Sequence, residues 1–75
     1  MVFDRLKEVI CEEMEIPKDE FTMDANIRED FDLDSLDMVD IIMDIEDEFG
    51  VEIAEDALES LITVKDVVDY IEANQ

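Results

Sequence analysis

Apolar side chains return every three to four positions in three separate stretches of this chain, which is the spacing of helices rather than strands. At about 100° per residue, Val2, Phe3, Leu6, Val9, Ile10 and Met14 share one face. Met38, Ile41, Ile42, Ile45 and Phe49 share a second, and Val64, Val67, Val68 and Ile71 a third. These stripes predict a first helix over about residues 2 to 15, a second from Asp34-Ser35 to Phe49, and a last one after Thr63. Punctuation is sparse, since Pro17 and Gly50 are the only proline and glycine. Pro17 helps to end the first helix, and Gly50 is well placed to stop the second. Thr63, with Asp66 three residues on, makes a near capping box for the last. Residues 16 to 34 read as a long loop in which Ile16, Phe21, Ile27, Phe31 and Leu33 act as apolar pegs. A loop of that length in so short a chain is often functional. Val51 and Ile53 lead into a short segment around Glu55 to Leu61. The expected fold is all-α: a small four-helix bundle of three longer helices and one short, with the long loop between helices one and two, in one domain over residues 1–75.

Charge decides which partners such a bundle can have. The chain of 75 residues holds 25 acidic and five basic side chains, a formal net charge of -20. Charge alone would suit a disordered chain, but one third of the residues are Leu, Ile, Val or Phe. That is well above the roughly 20% at which disorder is expected. A surface this negative repels nucleic acid and anionic membranes, and favours basic protein patches or cations. No histidine is present, which excludes a Ser-His triad and a His-built zinc site within the chain. Cys11 is the only cysteine, so no intrachain disulfide and no multi-Cys cluster can form. At the edge of the first apolar face, it reads as a small semi-buried apolar residue. No metal site is expected. Without a long apolar run or a signal-like start, the expected protein is cytoplasmic and makes no stable membrane insertion.

The second helix carries the most information on its outer side. Asp37, Asp40, Asp44, Asp47 and Glu48 crowd an arc of about 100° opposite the apolar stripe. Like charges at helical neighbour spacing cost about 0.2–0.5 kcal/mol a pair, so this arc costs about 1–2 kcal/mol. Leu36 and Met43 flank it. A solvated face that keeps the protein soluble and a docking surface for a basic partner both account for the pattern.

Ser35 opens the same helix behind Asp30, Asp32 and Asp34. Its position suits an N-cap. Taken as the start of a calcium loop, the three aspartates fail, because Ser35 stands where the turn needs glycine and Ile41 where a bidentate Glu belongs. A nucleophilic role lacks a nearby base. A passive attachment point, modified by another enzyme, requires only an accessible hydroxyl at the loop-helix junction, where backbone N–H groups favour a phosphate.

The run Asp34-Ser35-Leu36-Asp37, followed by an acidic amphipathic helix ending in Glu46-Asp47-Glu48-Phe49, resembles the acyl carrier proteins of the fatty-acid synthase type. The resemblance covers nearly the whole chain, including Val51-Glu52-Ile53 and the closing stretch from Val64 to Ile71. It implies that Ser35 carries 4'-phosphopantetheine through a phosphodiester, and that the thiol of this arm holds acyl groups as thioesters. The chain would then be a non-catalytic, monomeric carrier. It would meet a phosphopantetheinyl transferase and fatty-acid synthesis enzymes through their basic patches. The positions implied for partner binding are Leu36, Asp37, Asp40, Met43, Glu46, Asp47, Ile53 and Glu55. Those implied to line an acyl-chain cavity are Ile27, Met38, Ile45, Leu58 and Leu61, which ordinary core packing explains equally well. Three departures stand out. Asp32-Leu33 replaces the Gly-Ala common before Asp-Ser-Leu, Met38 is bulkier than the residue often found there, and Ala54 stands where proline is common. The rivals are a carrier of the same fold for D-alanylation or polyketide assembly and, from another class, an acidic module that binds cations or mimics nucleic acid.

Overall fold

The computed structural model describes residues 1–75. Three α-helices, α1 (Val2–Met14), α2 (Ser35–Phe49) and α3 (Val64–Asn74), pack together with α1 against both of the others. The expected short fourth helix is present as a 3-10 helix, Glu55–Ser60. A second 3-10 turn, Lys18–Glu20, lies inside the long loop, where no periodicity marks it.

Each helix ends for a local reason. After α1, Glu15 turns left-handed at φ 56°, the Ile16 N–H reaches back to the Cys11 carbonyl at 3.0 Å, and Pro17 follows. At the start of α2 the N-cap is Asp34, not Ser35. The Asp34 carboxylate accepts from the Asp37 N–H at 2.9 Å, and the Asp37 carboxylate accepts from the Asp34 N–H at 3.2 Å. A carboxylate one residue earlier takes the cap, which moves Ser35 to the first helical position. Gly50, at φ 66°, closes α2 with its N–H on the Glu46 carbonyl, a conformation that costs glycine little.

The α3 cap forms as its sequence suggests. The Thr63 hydroxyl accepts from the Asp66 N–H at 3.2 Å, and the Asp66 carboxylate accepts from the N–H groups of Thr63 and Ile62 at 3.0 and 3.1 Å. These two backbone donors hold the Asp66 carboxyl below its ordinary value of 3.8. Thr63→Ala is expected to cost about 1 kcal/mol by chemical denaturation. Because the folded value lies below the unfolded one, the Asp66 contribution is complete above the ordinary range and is lost as pH falls through the lowered value. The stability gap between wild type and Asp66→Ala should therefore narrow between pH 7 and pH 2, and a gap independent of pH would contradict this reading.

The loop from 16 to 34 is tied down at several points. Its middle pairs with the entrance to α3 through an antiparallel bridge, Asn26 with Thr63. The supporting bonds are Ile27 N–H to Ile62 C=O (3.0 Å), Val64 N–H to Ala25 C=O (3.0 Å) and Lys65 N–H to Met23 C=O (2.8 Å). Phe21 stacks on Phe31 at 5.7 Å and meets Phe3 of α1 at 5.9 Å. Phe21 and Ile27 are fully buried, while Ile16, Phe31 and Leu33 pack against the core from its edge. All five pegs are therefore used. The buried set is entirely apolar and includes Cys11, whose thiol burial pushes up.

Two of the departures from the family pattern acquire a physical meaning. Asp32 sits at φ 56°, in the left-handed region that favours glycine. Asp32→Gly removes that strain and one negative charge, and should raise the melting temperature by about 2–4 °C; Asp32→Val should lower it. Ala54 adopts φ -66°, which proline would accept, but its N–H donates to the Tyr70 hydroxyl at 3.3 Å, which proline would forfeit. The same hydroxyl donates to the Glu52 carbonyl at 3.2 Å, so Tyr70 staples the segment after α2 to α3.

Candidate functional site

Ser35 is exposed on the first turn of α2, and both bonds of the capping box bypass its hydroxyl. It stands at the rim of a cleft of about 390 Å³ between α2, the long loop and the 3-10 helix Glu55–Ser60. The structure brings Ile27, Met38, Ile45, Leu58 and Leu61 together on the walls of this one cleft. Ten of its twelve lining residues are apolar, and the other two are Ser35 and Arg28. Ile27 and Ile45 are at the same time fully buried core residues, so core and cleft share walls. The volume lies in the range of small-molecule sites, and such a lining suits an aliphatic chain.

The acids of α2 do not act as one stripe. Glu48 turns toward α1 and accepts a 2.8 Å hydrogen bond from the Arg5 guanidinium. Asp44 lies in the groove that Arg5, Glu8, Glu12 and Glu13 of α1 line together with Glu48. The sequence-based arc therefore straddles two surfaces, because a wheel shows angles on one helix and not where the neighbouring helix packs. Asp37 is engaged in the capping box. Glu46 accepts from the Ile53 N–H at 2.9 Å and so anchors the turn that follows α2. Asp40 and Asp47 remain exposed, next to Leu36 at 76% and Met43 at 57% exposure. Glu55 is exposed at the start of its 3-10 helix. Ile53, expected on the partner surface, is 8% exposed and packs with the core, its N–H held by Glu46.

The charge on the remaining surface is poorly compensated, since the only ion pairs are Arg5 with Glu8 and Glu48, and Lys65 with Asp69. Raising salt from about 10 mM to 1 M shortens the Debye length roughly tenfold. Relief of about 1–2 kcal/mol of repulsion should raise the melting temperature by about 5–10 °C. A flat salt dependence would count against repulsion as a cost to this fold.

Two residues of the site were missed by the sequence reading. Val39, 55% exposed, joins Leu36 and Met43 on the outer face of α2 and also lines the cleft. Its spacing of three and four from those residues carried the signal. Arg28 lines the cleft as well, and its rarity as a cation just ahead of three aspartates was the available clue. The aspartates themselves diverge: Asp30 accepts from the Asn26 N–H at 2.7 Å, whereas Asp34 caps α2. No group of three or more carboxylate or thiol side chains is arranged to hold a metal ion.

Comparison with known proteins bears on the same serine-bearing fold. A family model described as a phosphopantetheine attachment site matches residues 4–71. An acyl carrier protein of Lactobacillus acidophilus is 42% identical to this chain over 74 residues, covering 99% of the chain and 92% of the relative. An acyl carrier protein of Lactobacillus johnsonii matches with the same identity and coverage.

Proposed function

The chain belongs to the acyl carrier proteins, which are carriers and not catalysts, and from that premise we propose that Ser35 is the residue that bears the 4'-phosphopantetheine arm. The observation that carries this reading is a hydroxyl free of capping duty at the rim of an apolar cleft. In the attachment, the Ser35 Oγ forms a bond to the phosphorus of coenzyme A that carries the pantetheine. The bond from that phosphorus to the nucleotide breaks, adenosine 3',5'-bisphosphate leaves, and the hydroxyl proton passes to a base of the transferase. The N-terminal dipole of α2 favours a phosphate, but the carboxylates of Asp34 and Asp37 already answer most of it. When attached, the arm supplies a flexible thiol that holds an acyl group as a thioester.

The surrounding residues then divide the remaining work. Ile27, Met38, Ile45, Leu58 and Leu61 shelter the acyl chain in the cleft. Leu36, Val39 and Met43 give apolar contact to a partner, and Asp40, Asp47 and Glu55 give charge. Asp37 and Glu46 shape this surface through the cap and the following turn, with part of each carboxylate left for a partner. Basic patches on fatty-acid synthesis enzymes complement such a face, and electrostatic steering gives the fast association a shuttle needs. The whole of residues 1–75 acts as one monomeric carrier domain in the cytoplasm; no helix is long and apolar enough to cross a membrane.

Incubation with coenzyme A and a broad-specificity phosphopantetheinyl transferase tests the reading. The expected result is the mass of one arm, mapped to the peptide that contains Ser35. No gain, or a gain elsewhere, would overturn it. Loading by a malonyl transferase and not by a D-alanine ligase would place the carrier in fatty-acid synthesis, and the reverse would remove it from that pathway.

A further inference from the structure

Arg28 is the single cation on a cleft otherwise lined by apolar side chains and Ser35. The chain has only five basic residues. Arg5 and Lys65 are engaged in ion pairs, and Lys7 lies over the Phe3 ring at 5.4 Å. Arg28 takes part in none of these, although Glu29 and Asp30 follow it directly. Those neighbours have other partners: Asp30 accepts from the Asn26 N–H, and Glu29 accepts from the Asn26 side-chain amide at 3.3 Å. The Arg28 backbone, in contrast, is fixed. Its N–H donates to the Asn26 side chain at 3.0 Å, and its carbonyl accepts from the Leu33 N–H at 2.9 Å. The second bond closes the turn from Arg28 to Leu33 and carries Arg28 back beside the residues that immediately precede Ser35.

We propose that Arg28 is a positioning residue for the arm on Ser35, its guanidinium holding the phosphodiester at the rim of the cleft. This rests on the assignment of Ser35 as the attachment residue. A phosphodiester on Ser35 Oγ brings an anion onto a helix turn already capped by the carboxylates of Asp34 and Asp37. The dipole of α2 is therefore largely answered before the phosphate arrives, and the added charge needs a cation from elsewhere. Arg28 is the only candidate on the cleft. The planar guanidinium fork also suits two phosphate oxygens at once, which an ammonium does not. A phosphate held on the Arg28 side of Ser35 fixes the root of the arm toward the cleft rather than toward the outer face of α2. Arg28 would thus bias the carrier toward the sheltered position of its cargo.

The test compares wild type, Arg28→Gln and Arg28→Lys, each as the apo protein and after loading from coenzyme A. Phosphorus NMR of the loaded proteins is expected to show the phosphodiester resonance displaced in Arg28→Gln, with Arg28→Lys in between. The three apo proteins should melt within about 1 °C of one another, since the side chain is exposed and unpaired. Loaded Arg28→Gln should melt about 2–4 °C below loaded wild type at low salt, a gap that closes at high salt. Identical phosphorus resonances and melting shifts in wild type and Arg28→Gln would overturn the proposal while leaving Ser35 as the loaded residue. A difference seen only with a malonyl cargo, and not with the bare arm, would also overturn it, because Arg28 would then serve the cargo carboxylate. Failure of wild type itself to gain the arm is the separate outcome that removes the Ser35 assignment.

Discussion

Ser35→Ala is expected to abolish loading from coenzyme A completely and to leave the fold intact. The two effects separate because the capping box of α2 is built by Asp34 and Asp37, so loss of the Ser35 hydroxyl removes no capping bond. Stability should stay within about 0.5 kcal/mol of wild type, as for an exposed substitution away from any structural feature. Asp34→Ala should do the opposite. It deletes the cap and costs about 1 kcal/mol, yet it keeps the nucleophilic hydroxyl and should still be loaded. Intact mass after transferase treatment and chemical denaturation of both variants give the two readouts. If Ser35 were the structural cap that its position in the sequence suggests, Ser35→Ala would instead lose about 1 kcal/mol, and its hydroxyl would not be free for attachment.

Phe21→Ala should be the most damaging single change to the fold, at about 3–5 kcal/mol. Phe21 is 1% exposed and is held between Phe31 of its own loop and Phe3 of α1. Truncation leaves a cavity that two flanking rings cannot fill without moving the loop, and it removes the only ring contact between that loop and α1. A domain of this size has little more than that to lose, so the melting temperature should fall by roughly 15 °C or more. Chemical denaturation at moderate salt measures the loss, and Phe21→Leu should recover most of it. A loss under about 1 kcal/mol would show that the hydrogen bonds to the start of α3 suffice to hold the loop. The effect bears on function because this loop runs directly into Ser35.

The parts of the molecule legible in the sequence are those set by neighbours a few residues apart. The apolar stripes placed α1, α2 and α3, and the Thr63–Asp66 pair gave the start of α3, because both depend only on helical periodicity and local hydrogen bonding. The pegs of the long loop were legible as isolated large apolar residues, but the bridge of Asn26 to Thr63 was not, since it joins segments far apart in the chain. The cap of α2 was misread by one residue because Asp34 and Ser35 both cap well, and only the backbone path decides between them.

Charge shows the same division more sharply. Composition and spacing established that the chain is strongly acidic, that α2 concentrates acids opposite its core stripe, and that Ser35 begins that helix. Which of those acids stay free on the surface was decided by tertiary packing. Arg5 on α1 draws Glu48 inward, the turn after α2 takes Glu46, and the core takes Ile53, leaving Asp40 and Asp47 beside Leu36, Val39 and Met43. A helical wheel has one axis and no neighbours, so it cannot show that Arg5 stands 43 positions away in sequence and 2.8 Å away in space.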